Sequence, residues 1–174
     1  MAKKRIAILA SGGGSNLQAL LDAMKDPAYP AEAALVISNK ARAQALERGK
    51  NAGVHTIFVN AHPFPTREEY DKELLHFMEE ERIDVICLAG YMRILSPILT
   101  KAYAGRILNV HPALLPKFGG EGMYGHHVHE AVLKAGETES GATVHLVNEG
   151  VDTGEILLQA RVPVLPGDTA QTLA

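Results

Sequence analysis

Tryptophan is absent from the 174 residues, cysteine occurs once, aromatics make up only 5%, and neither sign of charge dominates. Each shortage excludes something. The lone Cys87 has no partner for an intrachain disulfide and sits in the apolar run Val85-Ile86-Cys87-Leu88-Ala89, so it reads as a buried thiol in a reducing compartment rather than as a nucleophile. No apolar stretch approaches the roughly 18 residues of a spanning helix, and Ile6 to Ala10 is too short for a signal core despite Lys3, Lys4 and Arg5 before it. A cytoplasmic chain with no membrane partner is expected. With 17 Lys and Arg against 20 Asp and Glu, the net charge is -3, and no basic cluster exists to neutralise a phosphate backbone. Nucleic acid is therefore not an expected partner, and small molecules are. What remains, 47% hydrophobic and 21% charged with 16 glycines, is the composition of one globular domain over residues 1–174 that needs no disulfide or metal to hold its core.

The order of patterns is more specific. A β-branched strand, Arg5 to Ala10, runs into Ser11-Gly12-Gly13-Gly14, after which Ser15 or Asn16 can cap a helix from Leu17 to Met24. The alternation continues as strand Ala34 to Ser38, helix Arg42 to Ala52, strand His55 to Val59, helix Arg67 to Glu81, strand Asp84 to Ala89, helix Pro97 to Tyr103 and strand Arg106 to Val110. In the helix after Arg67, Leu74, Leu75, Phe77 and Met78 form a core-facing stripe. A long loop, a helix near Val128 to Lys134 and two neighbouring strands, Ala142 to Val147 and Glu155 to Val162, complete the pattern. This predicts an α/β fold: a Rossmann-like open, mostly parallel sheet with helices on both faces and an antiparallel C-terminal edge. Gly167 to Ala174 opens with a cap and helix formers but ends before about three turns are reached, so a helix continuing beyond 174 is expected.

Three motifs carry polar chemistry. The glycine turn from Ser11 to Asn16 could hold an anion on helix N-terminal amides, yet it lacks the third glycine of a dinucleotide fingerprint and the lysine of a P-loop. A phosphate monoester fits it better than a dinucleotide, and an ordinary tight turn fits it equally. In Leu108 to Pro116, strand alternation puts Asn109 and His111 on one side at the strand's C-terminal end, an amide and an imidazole suited to an oxyanion or to a structural hydrogen bond. The loop Asn148 to Gly154 is either a hairpin turn or the carrier of a carboxylate, Asp152, that would pair with His111 and hold it charged. His126, His127, His129 and His145 lack metal-ligand spacing, and no metal is expected; His127 or His145 would support the site wall by hydrogen bonds. A non-enzymatic phosphometabolite- or nucleotide-binding module would explain the glycine turn but not Asn109, His111 and Asp152 together.

Ser11 to Gln18, Asn109-Val110-His111-Pro112-Ala113-Leu114-Leu115-Pro116 and Val151-Asp152-Thr153-Gly154, taken in order across the chain, resemble the folate-dependent formyltransferases, and among them the branch acting in purine biosynthesis. The resemblance implies transfer of a formyl group from 10-formyltetrahydrofolate to the amine of glycinamide ribonucleotide, by a monomer or homodimer. It implies Asn109, His111 and Asp152 as the catalytic set, and Gly13, Gly14, Ser15 and Asn16 on the substrate phosphate. It assigns Arg67, Met92, Arg93, Ile94, Leu95, Asn109, Asn148 and Val151 to the folate. Relatives acting on charged tRNA or hydrolysing the donor carry extra domains, and this chain is expected to carry neither. The stretch Lys117 to His126 is longer than the family's compact version and so rich in glycine that a mobile flap is expected.

Overall fold

A computed structural model describes residues 1–174, and the chain divides into two compact units, Met1–Ile107 and Leu108–Ala174. The first contains β1 (Lys4–Leu9), α1 (Ser15–Ala23), β2 (Ala31–Ser38), α2 (Gln44–Asn51), β3 (His55–Phe58), α3 (Arg67–Glu80), β4 (Val85–Leu88) and α4 (Pro97–Ala102). Its strands run in the order β3-β2-β1-β4, every pair parallel, as strand–helix alternation requires. β1 is buried from Ile6 onward, which explains why it reads as a continuous apolar run and not as an alternating one. Against it pack Leu17 and Leu21, one helical turn apart on α1, together with Val36 and Leu46. Each such leucine contributes about 1.5–3 kcal/mol by leaving water.

α3 shows how the helical period selects what is buried. Tyr70, Leu74 and Met78 recur every four residues and are fully buried, while Leu75 and Phe77 lie half-buried on the flanks, so only part of the expected stripe is core. Thr66 caps this helix by accepting from Glu69 N at 3.2 Å, and Glu68 and Glu69 suit the positive end of its dipole. Arg67 opposes that dipole and is exposed.

The second unit carries β5 (Ile107–His111, its first residue closing the first unit), α5 (His126–Lys134), β6 (Glu139–Leu146), β7 (Ile156–Pro163) and the short α6 (Ala170–Leu173). Both pairs, β5 with β6 and β6 with β7, are antiparallel. Parallel strands thus come first and antiparallel strands last, the α/β class and strand sense that the sequence predicts. No helix is long and apolar enough to cross a membrane.

Element ends coincide with the expected ones or move by up to three residues. β2 begins at Ala31 rather than Ala34 because Ala31 pairs with Lys4, and α2 begins at Gln44 because Ala43 is extended. The larger departure is at α1: neither Ser15 nor Asn16 caps it. The cap is Gly14, in the left-handed region at φ 75°, and no side chain bonds to the helix end. Ser15 and Asn16 lie inside the first turn instead, exposed. Cys87 is half-buried, and burial pushes its thiol up to about 11.

Candidate active site

Within the second unit, β5 delivers Asn109 and His111 side by side, and antiparallel pairing sets His145 opposite Asn109 and Thr143 opposite His111. The loop after β6 brings Asp152 to both rings: its Oδ2 lies 3.5 Å from His111 Nδ1 and its Oδ1 3.7 Å from His145 Nε2. The side chains of His111 and Asp152 are only 4% and 11% exposed, so the pair interacts with little screening by water. His111 Nε2 donates to the Phe118 carbonyl at 2.7 Å. Both nitrogens of His111 therefore face oxygen atoms, a carbonyl at Nε2 and a carboxylate at Nδ1.

His145 is held in the opposite sense. Its Nδ1 donates to the Leu146 carbonyl at 3.1 Å, which leaves Nε2 to accept from Asn109 Nδ2 at 3.0 Å. That bond fixes the Asn109 amide and uses one of its two N–H donors. The other remains for a further acceptor.

The backbone around Asp152 is shaped to bring the carboxylate in. Asp152 itself sits at φ 56°, a left-handed conformation costly for most residues and better tolerated by aspartate, and its Oδ2 also accepts from Gly120 N at 3.0 Å. Two residues later, a Cβ on Gly154 would run into the Leu146 carbonyl, so only glycine lets the loop return so close to β6. Asn148 is exposed and builds the turn: its Oδ1 accepts from Gly150 N at 2.9 Å and Thr153 Oγ1 at 2.8 Å. Val151 is half-buried.

Residues that the sequence reading passed over support this site. Thr143, fully buried, donates to the Ala113 carbonyl at 2.7 Å and accepts from Leu115 N at 3.1 Å and from Gln159 Nε2 at 3.0 Å. It ties the segment after His111 to β6 and β7. The alternation of β6 marks Thr143 as facing the same way as His145, but nothing in the sequence reveals its partners. Of the other histidines, His129 is buried with no partner for Nδ1; burial lowers its pKa, and the nearby charges of His126 and His111 add to the effect. His127 supports no wall: its side chain is exposed, edge-on to the Tyr124 ring at 5.4 Å and 3.8 Å from Glu130 Oε2. No three His, Cys, Asp or Glu side chains group so as to hold a metal ion.

The first unit holds the other two sets. With no side-chain cap on α1, the amides of its first turn are left for water or an anion, and Ser15 and Asn16 are exposed there. The carbonyls of the turn are meanwhile tied back: Gly12 O accepts from Ala45 N at 3.1 Å and Gly13 O from Arg48 Nε at 2.7 Å. Arg48, 35 residues further on, thus adds a positive charge behind the turn that no local motif announces. Ser11 joins this turn to the segment 90–95: Ser11 N donates to the Gly90 carbonyl at 3.0 Å, Met92 N donates to Ser11 Oγ at 2.8 Å, and Ser11 Oγ donates to Asn39 Oδ1 at 2.6 Å. Met92 and Ile94 are about half exposed, Arg93 is half-buried with its guanidinium 4.6 Å from the Tyr70 ring centroid, and Leu95 belongs to the core.

Residues 4–174 match the family described as Formyl transferase. The chain is 47% identical over 164 residues to the phosphoribosylglycinamide formyltransferase of Escherichia coli, covering 94% of this chain and 75% of that one. It is 53% identical over 173 residues to the trifunctional purine biosynthetic protein adenosine-3 of Drosophila pseudoobscura pseudoobscura, spanning 98% of this chain but only 12% of that protein's length. Among solved structures, glycinamide ribonucleotide transformylase 1 from Symbiobacterium toebii superposes with a TM-score of 0.93 at 42% identity, over 98% of this chain and 78% of that one.

Proposed function

The chain belongs to the formyl transferase family, and from that premise we propose that it transfers a formyl group from 10-formyltetrahydrofolate to the amine of glycinamide ribonucleotide, in the purine biosynthesis of the cytoplasm. Similarity to the E. coli phosphoribosylglycinamide formyltransferase supports the substrate pair. The observation that carries the chemistry is the convergence of Asn109, His111 and Asp152 within one unit.

The substrate amine attacks the formyl carbon, forming a C–N bond and a tetrahedral oxyanion. The second N–H of Asn109 and the Nε2 proton of His111, redirected from the Phe118 carbonyl, donate to that oxygen. Oriented donors of this kind are each worth about 10²–10³ in rate. Asp152, facing Nδ1, sets a negative charge beside the ring that donates to the oxyanion. As the oxyanion collapses, the bond from the formyl carbon to the folate nitrogen breaks. The proton lost by the amine reaches that nitrogen, with Asp152 and water as the relay.

In this reading Gly13, Gly14, Ser15 and Asn16 take the ribonucleotide phosphate on the uncapped amides of α1, helped by the charge of Arg48. Arg67 and Arg93 meet the anionic side of the folate and Met92 and Ile94 its apolar surface, with Leu95 in the core; Asn109, Asn148 and Val151 are the other folate residues that the family resemblance implies. The test follows the absorbance of 10-formyl-5,8-dideazafolate as glycinamide ribonucleotide is added. Turnover that collapses in Asn109→Ala and His111→Ala supports the assignment. Binding of either compound without turnover would sink it and leave a phosphometabolite-binding module.

A further inference from the structure

Tyr70 and Asp71 are consecutive residues of α3, 0% and 2% exposed, and they hold two different points of the segment 90–96. The Tyr70 ring lies beneath the Arg93 guanidinium, 4.6 Å from centroid to Cζ. The ring is itself immobilised: its hydroxyl donates to the Val59 carbonyl at 2.9 Å, and Phe64 meets it nearly perpendicularly at 5.5 Å. Asp71 Oδ2 accepts from Ser96 N at 2.6 Å, three residues beyond Arg93. Ser11 holds the other end of the segment through Met92 N.

A buried carboxylate needs compensation to be kept. Burial raises the pKa of Asp71, while donation from Ser96 and the charges of Arg93 and Arg67 pull it back, so the carboxylate acts on both arginines. Arg67 opens the same helix one turn before Asp71. The spacing between Arg67 and Arg93 is therefore referred to a single rigid turn of α3. A flexible cation on an open loop would lose several rotatable bonds on meeting an anion, and a cation already laid on an aromatic face loses fewer.

We propose that Tyr70 and Asp71 are positioning residues that set the distance and orientation of Arg67 and Arg93, so that the two cations meet the carboxylates of the formyl donor's glutamyl tail. The inference rests on the donor reading above.

The experiment compares two donors, 10-formyl-5,8-dideazafolate and the same ring system lacking its glutamate. Steady-state constants are measured for the parent, Tyr70→Leu, Tyr70→Phe, Asp71→Asn, Arg67→Ala and Arg93→Ala. Tyr70→Leu removes the flat face, and Asp71→Asn keeps an acceptor for Ser96 N while removing the charge. Each is expected to raise KM for the tailed donor about tenfold, a change of the size a stacked cation supports. KM for the tailless donor and for glycinamide ribonucleotide stays within about twofold, as does kcat at saturation, and Tyr70→Phe rescues the loss. Should Tyr70→Leu not fold, Asp71→Asn decides alone. If the Tyr70 and Asp71 variants weaken both donors equally while the arginine variants still discriminate between them, the positioning inference is overturned and the donor reading survives. If the arginine variants do not discriminate, the donor reading fails and takes the inference with it.

Discussion

Gly14 is where local backbone, packing and the proposed anion site meet, and replacing it with alanine tests all three. At φ 75° the new residue is held in the left-handed region, which costs about 1–2 kcal/mol for a side chain with a Cβ. The Cβ would also stand 2.9 Å from Ala45 Cα, 3.0 Å from Ala45 Cβ and 3.2 Å from Arg48 Cδ. The first of these is backbone of α2 and cannot rotate away, so overpacking adds about 1–3 kcal/mol. Gly14→Ala should therefore destabilise by about 2–5 kcal/mol. Gly12, two residues earlier, supplies the control: it lies outside the left-handed region with nothing within 4 Å of its would-be Cβ. Alanine there restricts the unfolded chain and should add about 0.4–1 kcal/mol. Urea unfolding of the three proteins, with stability taken from midpoint and slope, reads the gap directly. Variants that unfold within about 0.5 kcal/mol of each other would refute the reasoning, because both the left-handed cap and the close approach of α2 would then be energetically empty. Where Gly14→Ala folds, the displaced turn should raise KM for glycinamide ribonucleotide and leave KM for the donor unchanged.

Other expectations follow from the same geometry. Asn109→Ala and His111→Ala should each lower kcat by about 10²–10³, and Asp152→Asn by about 10²–10⁴, with circular dichroism unchanged; a variant retaining more than a tenth of parental kcat removes its residue from the chemistry. Cys87, with its thiol at about 11 against an ordinary 9.0, holds about a hundredfold less thiolate at pH 8. Iodoacetamide should label it at least that much more slowly than a free cysteine peptide, the rate still climbing past pH 10, whereas a plateau near pH 9 would contradict the burial account. His129 is favoured neutral in the fold, so the unfolded chain takes up its proton first and stability is lost as pH falls through about 6.5 toward the lowered folded value. The melting-temperature gap between His129→Leu and the parent should widen in favour of the variant from pH 7 to pH 5.5. A gap constant over that range would disprove it.

Much of this was legible in the residues, and what was missed shares a cause. Strand sense and element order follow from local periodicity and turn chemistry, which is why β1 through β7 fall within a few residues of their expected places. Asn109 and His111 share a side because strand alternation is local. Asp152 reaching His111 is not local. It depends on a left-handed backbone at Asp152 and on Gly154 passing close to Leu146, neither of which has a periodic signature. The misplaced cap has a similar origin: Ser15 and Asn16 are good capping residues, but α2 crowds Gly14 and the left-handed glycine starts the helix at Ser15, two residues early. Arg48, Thr143 and Tyr70 act through partners on other segments, Gly13 35 residues from Arg48, Ala113 30 from Thr143 and Arg93 on the loop after β4, and composition gives no sign of them. The boundary at Ile107 falls inside a strand with no Pro, Gly or Ser linker to announce it.

Thr143 also sets how far this sequence can drift. Its one hydroxyl serves the Ala113 carbonyl, the Leu115 amide and the Gln159 side chain at once. Valine copies its shape and would pass any test of volume or strand propensity, yet it would strand those groups at about 1–3 kcal/mol for each one left buried and unpaired, a sum comparable with the 5–15 kcal/mol that holds a domain together. Serine keeps the hydroxyl and gives up only a methyl. In a library randomised at this position, the survivors should spell an alphabet of two letters, even though the residue never touches a reacting atom.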